Sequence, residues 1–161
     1  MGKSPEPRST TNGRSEEVAA LLTAARAVLE NRVFTDAARA ILAAFKAILD
    51  ADAGFVAVSS PGGKSLEIAC LDPGSLGLSP AVGLPAPLRR LCARASKLGR
   101  AVIARKLAKG APQASPGDDH VGLESALVAP VVIAGNVAGL VGLVNKPGGF
   151  SAADARLAEV F

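Results

Sequence analysis

Several residue types are scarce in this chain, and each scarcity argues against a class of function. The 161 residues contain no Trp, no Tyr and a single His. Without Trp and Tyr the chain lacks the usual aromatic clamps for sugars, nucleobases and single-stranded nucleic acid, and Phe must supply any stacking. One His and two cysteines do not readily complete the three or four ligands of a zinc site. We therefore expect neither direct nucleic-acid binding nor a metal site.

The two cysteines, Cys70 and Cys92, lie in apolar stretches without the CxxC spacing of redox and zinc motifs. Disulfide frameworks belong to small secreted domains with more cysteines, so this pattern does not indicate one. We expect both side chains to be small parts of a core. Arginines near Cys92 could nevertheless stabilise a thiolate, which leaves a thiol-dependent enzyme open as an alternative.

Long apolar runs are also absent. None reaches the roughly 18 residues that a membrane span requires, and the N-terminus lacks the apolar core of a signal peptide. The chain contains no Ser-His-Asp set, P-loop, Rossmann glycine pattern or kinase signature. We therefore predict a cytoplasmic, non-enzymatic protein that does not enter a membrane, with room for one domain.

Three segments differ in composition. Residues 1–14 are rich in Ser, Thr and Pro without apolar periodicity, which predicts a disordered tail because ordering them would bury too little. Residues 15–32 carry one apolar stripe at helical spacing, which predicts a linker or signalling helix in need of a partner. Residues 33–161 form the predicted domain. The stripe consists of Val18, Leu21, Leu22, Ala25, Val28 and Leu29.

The predicted domain alternates between helical and strand patterns. A helix is predicted from Thr35, a second one ends at Gly99, and the turn Gly135-Asn136 separates two apolar strands because both residues tolerate positive φ. The full predicted order is helix, two strands, helix, strand, long polar loop, two strands and helix. This order predicts an α+β fold with a mostly antiparallel sheet and helices on both faces.

The last strand leads into a helix through Asn145, Lys146, Phe150 and Asp154, with Ser151 and Asp154 spaced as a capping box. These residues resemble the N-K-x(n)-F-x3-D-E signature of the GAF domains of cyclic-nucleotide phosphodiesterases. GAF domains are small ligand-sensing modules. Ala155 replaces the final Glu of that signature. The resemblance extends over most of the chain and implies the GAF-like, profilin-like sheet. It also implies that Lys146 and Asp154 brace the strand-to-helix corner rather than hold a ligand.

Positive charge is concentrated in the middle third of the chain, in the segment that covers the ligand pocket in a GAF-like fold. Residues 73–117 contain eight Lys or Arg and no Asp or Glu. Such a field could attract an anion such as a nucleotide or a carboxylate metabolite, although a solvated helix face explains the same pattern.

The GAF-like fold implies a pocket for an unidentified small molecule. The candidate pocket residues are apolar positions on predicted strands and helices, with one polar contact from His120 or Arg94. The apolar candidates are Phe55, Ala57, Leu66, Leu91, Ala101, Leu127 and Ala129.

The resemblance implies a small-molecule-sensing regulatory domain of a bacterial signal-transduction protein, such as a sensor histidine kinase of a two-component system or a transcriptional regulator. We expect a homodimer through the terminal helices, which would pass a ligand-induced population shift to a downstream effector domain or kinase. Because the apolar helix pattern is unfinished at Phe161, we expect either a fragment of a longer protein or a single domain with a frayed end.

Two alternatives remain at the level of the sequence. One is a dimerisation or interaction module that binds no ligand. The other is a cysteine-dependent enzyme, resembling the methionine sulfoxide reductase branch of GAF domains.

Overall fold

A computed structural model describes residues 32–60, 65–107 and 122–160 of the chain. The predicted tail, residues 1–14, and all but one residue of the predicted helix 15–32 lie outside these ranges, as does His120. The chain divides into two units, Met1–Asp36 and Ala37–Phe161. The architecture below is that of the second unit; of the first, only the helical residues 32–36 are described.

The described part of the chain contains three helices and five strands in the predicted order. Helix α1 covers residues 32–49, so it already includes the three residues before the predicted start at Thr35. The remaining elements are strands β1 (Ala53–Ser59) and β2 (Leu66–Asp72), helix α2 (Ala86–Leu98), strands β3 (Val102–Ala104), β4 (Ala126–Ile133) and β5 (Asn136–Val144), and helix α3 (Ala152–Glu159).

The five strands form one sheet in the order β2-β1-β5-β4-β3, and every neighbouring pair is antiparallel. Helix α2 packs on one face of this sheet, and helices α1 and α3 pack on the other. The predicted α+β class, with an antiparallel sheet between helices, is therefore confirmed.

The sheet separates two apolar cores. The first, here called the α2 face, includes Phe55, Leu88, Cys92, Val128 and Leu140, all at most 1% exposed. The second, here called the α1/α3 face, includes Leu42, Phe45, Leu127, Val141 and Phe150. Adjacent residues of one strand, such as Leu127 and Val128, belong to different cores because side chains alternate along a strand.

The turn between β4 and β5 lies one residue earlier than the sequence predicts. Positive φ occurs at Ala134 (50°) and Gly135 (79°), whereas Asn136 already begins β5. Two positive φ angles at the turn centre match the twist of antiparallel strands. The side-chain amide of Asn136 donates a hydrogen bond to the Ala134 carbonyl at 3.3 Å.

Two glycines of β5, Gly139 and Gly142, let neighbouring groups approach the strand closely. A β-carbon at Gly142 would collide with the Phe55 ring, and one at Gly139 would collide with the Ala57 carbonyl oxygen. Phe55 is 0% exposed, so its ring occupies the volume above Gly142 on the α2 face.

Candidate functional site

Asn145 ties the end of β5 to the segment that precedes β4. Its backbone has φ of 54°, a conformation that Asn tolerates better than most residues. Its side-chain oxygen accepts hydrogen bonds from the backbone N–H groups of Glu124 (2.8 Å) and Ser125 (3.2 Å). Its amide nitrogen donates to the Gly122 carbonyl at 2.6 Å. The chain is thereby fixed as it leaves the sheet.

Lys146 and Asp154 join this corner to α3. The Lys146 Nζ lies 2.8 Å from Asp154 Oδ1, and the two side chains are 23% and 11% exposed. Asp154 Oδ2 accepts from the Ser151 backbone N–H at 2.7 Å and from the Ser151 hydroxyl at 2.9 Å. Ser151 Oγ accepts in turn from the Asp154 N–H, which completes the capping box.

The pKa of Asp154 reflects two opposing effects. Burial disfavours the carboxylate and alone would raise this pKa, but the hydrogen bonds from Lys146 and Ser151 outweigh burial and lower it. Phe150 packs beneath the same corner, 1% exposed on the α1/α3 face. All four residues of the GAF-like motif thus meet where β5 passes into α3, and their contacts are with the protein itself.

The apolar pocket candidates do not line one space. Phe55, Ala57 and Leu91 belong to the α2 face, where they contact other buried side chains. Leu127 and Ala129 belong to the α1/α3 face, and half-buried Ala101 packs against that same core. The uninterrupted apolar run of β4 shows no alternation, so the sequence could not indicate which of its residues face α2.

The other candidates lie at the periphery or outside the described residues. Leu66 is 38% exposed on the edge strand β2, and Arg94 is exposed on α2. His120 falls within residues 108–121, which the structure does not describe.

The described residues include the linings of two open clefts. The smaller, about 220 Å³, adjoins the corner just described and is lined by Arg105, Glu124, Ser125, Lys146, Gly148 and Gly149. The larger, about 510 Å³, lies between the second half of α2 and the ends of β1, β2 and β5. Its polar lining consists of Ser59, Ser65, Ser96 and Asn136, and its apolar lining of Leu66, Ala93 and Val137.

Apart from Leu66, the lining of the larger cleft was not among the sequence candidates. Small polar residues beside turns usually reflect turn chemistry, so Ser59, Ser65 and Asn136 carry no distinctive pattern. Ala93 and Ser96 could have been found from their helical spacing, because they lie three residues apart on the side of α2 away from Leu91 and Ala95.

Both cysteines are buried free thiols. Cys92 is 1% exposed on the α2 face, where burial raises the pKa of its thiol to about 12. Cys70 packs on the α1/α3 face, on the other side of the sheet. The two sulfur atoms therefore belong to different cores.

Two features are absent from residues 32–60, 65–107 and 122–160, the part of the chain that the structure describes. No group of three or more His, Cys, Asp or Glu side chains there could hold a metal ion. Among the helices in these same ranges, none combines the length and apolar character that spanning a bilayer requires.

A family model for the GAF domain matches residues 31–161. No curated protein matches the sequence at a significant level. The match to the family model includes the corner built by Asn145, Lys146 and Asp154 and all five strands.

Solved structures with the same fold share little sequence with this chain. A type II free methionine-R-sulfoxide reductase from Thermoplasma acidophilum is 17% identical with a TM-score of 0.55, and the match covers 81% of this chain and 89% of that one. A GAF domain/HD domain protein from Geobacter sulfurreducens is 16% identical with a TM-score of 0.53, covering 81% and 84%. Residues 122 to 287 of a methyl-accepting chemotaxis protein are 14% identical with a TM-score of 0.50, covering 71% and 76%.

Proposed function

This chain belongs to the GAF domain family, and from that premise we propose that it is a non-enzymatic sensory domain of a signal-transduction protein. In this proposal a small molecule binds on the side of the sheet that carries α2, and the α1/α3 face passes the change on. The supporting observation is that single strands contribute to both cores. Val128 packs in the core under α2 while Leu127 packs in the core of the α1/α3 face, so a shift of β4 on one side disturbs close packing on the other.

The exposed side of α1 supports a role in dimerisation and output. Ala37, Ile41, Ala44 and Ile48 follow one another at helical spacing, and Ile41 and Ile48 are 50% and 58% exposed. The inner side of the same helix is already packed against the sheet through Leu42 and other buried residues. A helix that is apolar on both sides is expected to have a second partner. We take this partner to be α1 of a second copy, in a symmetric homodimer.

The ligand-induced change would pass to a downstream effector domain or kinase. Two fold relatives named above are a chemotaxis protein and a GAF domain/HD domain protein, and they contribute this expectation by analogy of fold alone. A cytoplasmic location is part of the proposal, since both cysteines are free thiols, as expected in a reducing compartment.

The cysteine-dependent enzyme is the weaker candidate, although a methionine sulfoxide reductase shares the fold. Thiol catalysis needs an accessible thiolate, whereas burial holds the Cys92 thiol in its protonated form. Cys70 lies across the sheet and could not reach Cys92 without unfolding of a core. Reduction of free methionine sulfoxide that is lost in Cys92→Ser would overturn this argument.

A dye-reported thermal-unfolding screen tests the sensory proposal, because the chain has no Trp or Tyr for intrinsic fluorescence. The panel contains cyclic and linear nucleotides, haem, amino acids, small carboxylates and sugar phosphates. A specific ligand at 100 times its dissociation constant should stabilise the fold by roughly 2.7 kcal/mol. We expect one chemical class to raise the midpoint by several degrees and to slow amide hydrogen exchange in α1 and α3.

Two outcomes would contradict this proposal. If no class moves the midpoint, the ligand-free dimerisation module becomes the better description, consistent with the Phe55 ring filling the α2 face. If a ligand stabilises the fold while exchange in α1 and α3 stays unchanged, the chain binds but does not transmit in the way proposed here.

A further inference from the structure

We propose that the larger cleft binds a small anionic ligand with a hydroxylated body, such as a sugar phosphate or a sugar acid. This inference rests on the proposed sensory function and names the class of ligand and its place. The cleft, about 510 Å³, lies within the size range of small-molecule sites. It opens at the second half of α2, away from the volume that Phe55 fills.

The lining of the cleft offers neutral hydrogen-bonding groups on an apolar floor. Ser59, Ser65 and Ser96 supply hydroxyl groups, and Asn136 supplies a side-chain amide. The Ser59 hydroxyl donates to the Val137 carbonyl at 3.3 Å, so its oxygen can still accept from a ligand hydroxyl. Such groups suit a polyol, whose hydroxyls both donate and accept.

Positive charge lies beside this neutral lining, on the α2 side of the cleft. Residues three or four positions apart are neighbours on a helix surface, so Ala93 has four such neighbours on α2. One of them is Ser96, and the other three are exposed cations: Arg89, Arg90 and Lys97. Arg89 donates to the Leu84 carbonyl at 3.2 Å. None of the three cations has an acidic partner among the described residues.

Among the described residues that line the cleft there is no carboxylate to balance these cations. Glu67 neighbours Leu66 on β2, but its side chain projects from the other face of the strand, because Leu66 is the one that lines the cleft. Cations on the α2 side of a neutral lining favour a ligand with one anionic group and an uncharged body.

Small residues keep the cleft open. Ala93 is exposed on α2 and contributes only a methyl group. Gly135 stands at the opposite wall, where a β-carbon would meet no atom within 4 Å. A larger side chain at position 93 would project into this space, which gives the proposal a direct test.

The test measures amide chemical shifts of the full chain during titration with four matched probes. Glucose 6-phosphate and gluconate combine an anionic group with a polyol, glucose lacks the charge, and inorganic phosphate lacks the body. We expect the first two, or one of them, to shift the amides of Ser96, Gly135 and Asn136 saturably. Glucose and inorganic phosphate should bind at least tenfold more weakly.

Matched variants separate a site from a general charge effect. Ala93→Leu should weaken binding at least tenfold, whereas Ala86→Leu, an exposed alanine two turns earlier on α2, should leave it unchanged. Arg89→Gln and Lys97→Gln should each weaken binding severalfold, with a smaller effect from Arg94→Gln, which lies around the helix from Ala93.

Three results would overturn the inference: no saturable shift at these amides with any probe, equal affinity for glucose and its phosphate, or unchanged affinity in Ala93→Leu. If the wider screen finds a ligand whose shifts lie elsewhere on the α2 face, the sensory proposal stands and this site falls. If nothing binds anywhere, both fall together.

Discussion

Asp154 caps helix α3 and also forms an ion pair with Lys146 at the corner between β5 and α3. Its two carboxylate oxygens are shared between Lys146 and Ser151, and its side chain is 11% exposed. A buried carboxylate with these partners stabilises the fold only while it is ionised. The contribution of the GAF-like motif to the free energy of unfolding should therefore depend on pH even when no ligand is bound.

We predict that Asp154→Asn lowers the free energy of unfolding by about 2 kcal/mol near pH 6, because one partner of a charged hydrogen-bonded pair is removed. The pKa of Asp154 is lowered in the folded state, so its contribution is complete above the unfolded pKa, about 3.9. It is lost as pH falls through the folded pKa. Urea unfolding from pH 6 to pH 2 should show a constant difference between wild type and variant above about pH 5 and a shrinking difference below about pH 4.

Asp72 serves as the internal reference for this experiment. Its pKa is also lowered, chiefly by the hydrogen bond from Lys46, with which it forms an ion pair of 2.6 Å. It titrates in the same window in both proteins, so the difference between the two curves isolates Asp154. Parallel curves over the whole pH range would contradict the prediction, because they would show that ionisation of Asp154 does not stabilise the fold.

At the scale of elements, the β4–β5 hairpin stores strain at one residue. Ala134 adopts φ of 50°, which costs a residue with a β-carbon about 1–2 kcal/mol unless Gly or Asn occupies the position. We predict that Ala134→Asn raises the free energy of unfolding by about 0.5–1 kcal/mol by placing Asn-Gly at the turn centre. Ala134→Val should lower it, because a β-branched residue is disfavoured at positive φ. Urea denaturation checks both, and a valine variant as stable as wild type would contradict the prediction.

The sequence predicted the helices and strands better than it predicted which face of the sheet each side chain occupies. Helical stripes, capping residues and turn glycines identified every helix and strand of the described ranges, since each depends on neighbours in sequence. The turn was misplaced by one residue because Gly135-Asn136 and Ala134-Gly135 both contain the needed glycine, and only the strand register decides between them. The pocket candidates divided between two cores because β4 is apolar on both sides. The larger cleft escaped prediction because its lining comes from four separate elements, none with a distinctive motif.

At the scale of the whole molecule, the exposed apolar side of α1 is the surface through which we expect two copies to dimerise. Dimerisation would then connect the fold of one domain to its signalling output. Ala37, Ile41, Ala44 and Ile48 alternate small and large side chains along one stripe. In an antiparallel pair of α1 helices, Ile41 of one copy could face Ala44 of the other, and Ile48 could face Ala37. This size complementarity is what a two-fold symmetric interface requires, since the same patch meets itself.

We predict that Ile41→Glu and Ile48→Glu each weaken dimerisation at least tenfold, which corresponds to about 1.4 kcal/mol. The physical reason is that dimerisation would bury an unpaired carboxylate in an apolar interface. Both side chains are at least half exposed in the single chain, so the variants should keep its thermal stability as monomers. Sedimentation equilibrium measures the dissociation constants.

Val132→Glu, at a 49% exposed position on β4, is the control for added charge on an apolar surface and should leave dimerisation intact. A wild-type monomer would contradict the proposed dimer. A dimer that Val132→Glu disrupts and Ile41→Glu does not would place the interface at the exposed end of β4 rather than on α1.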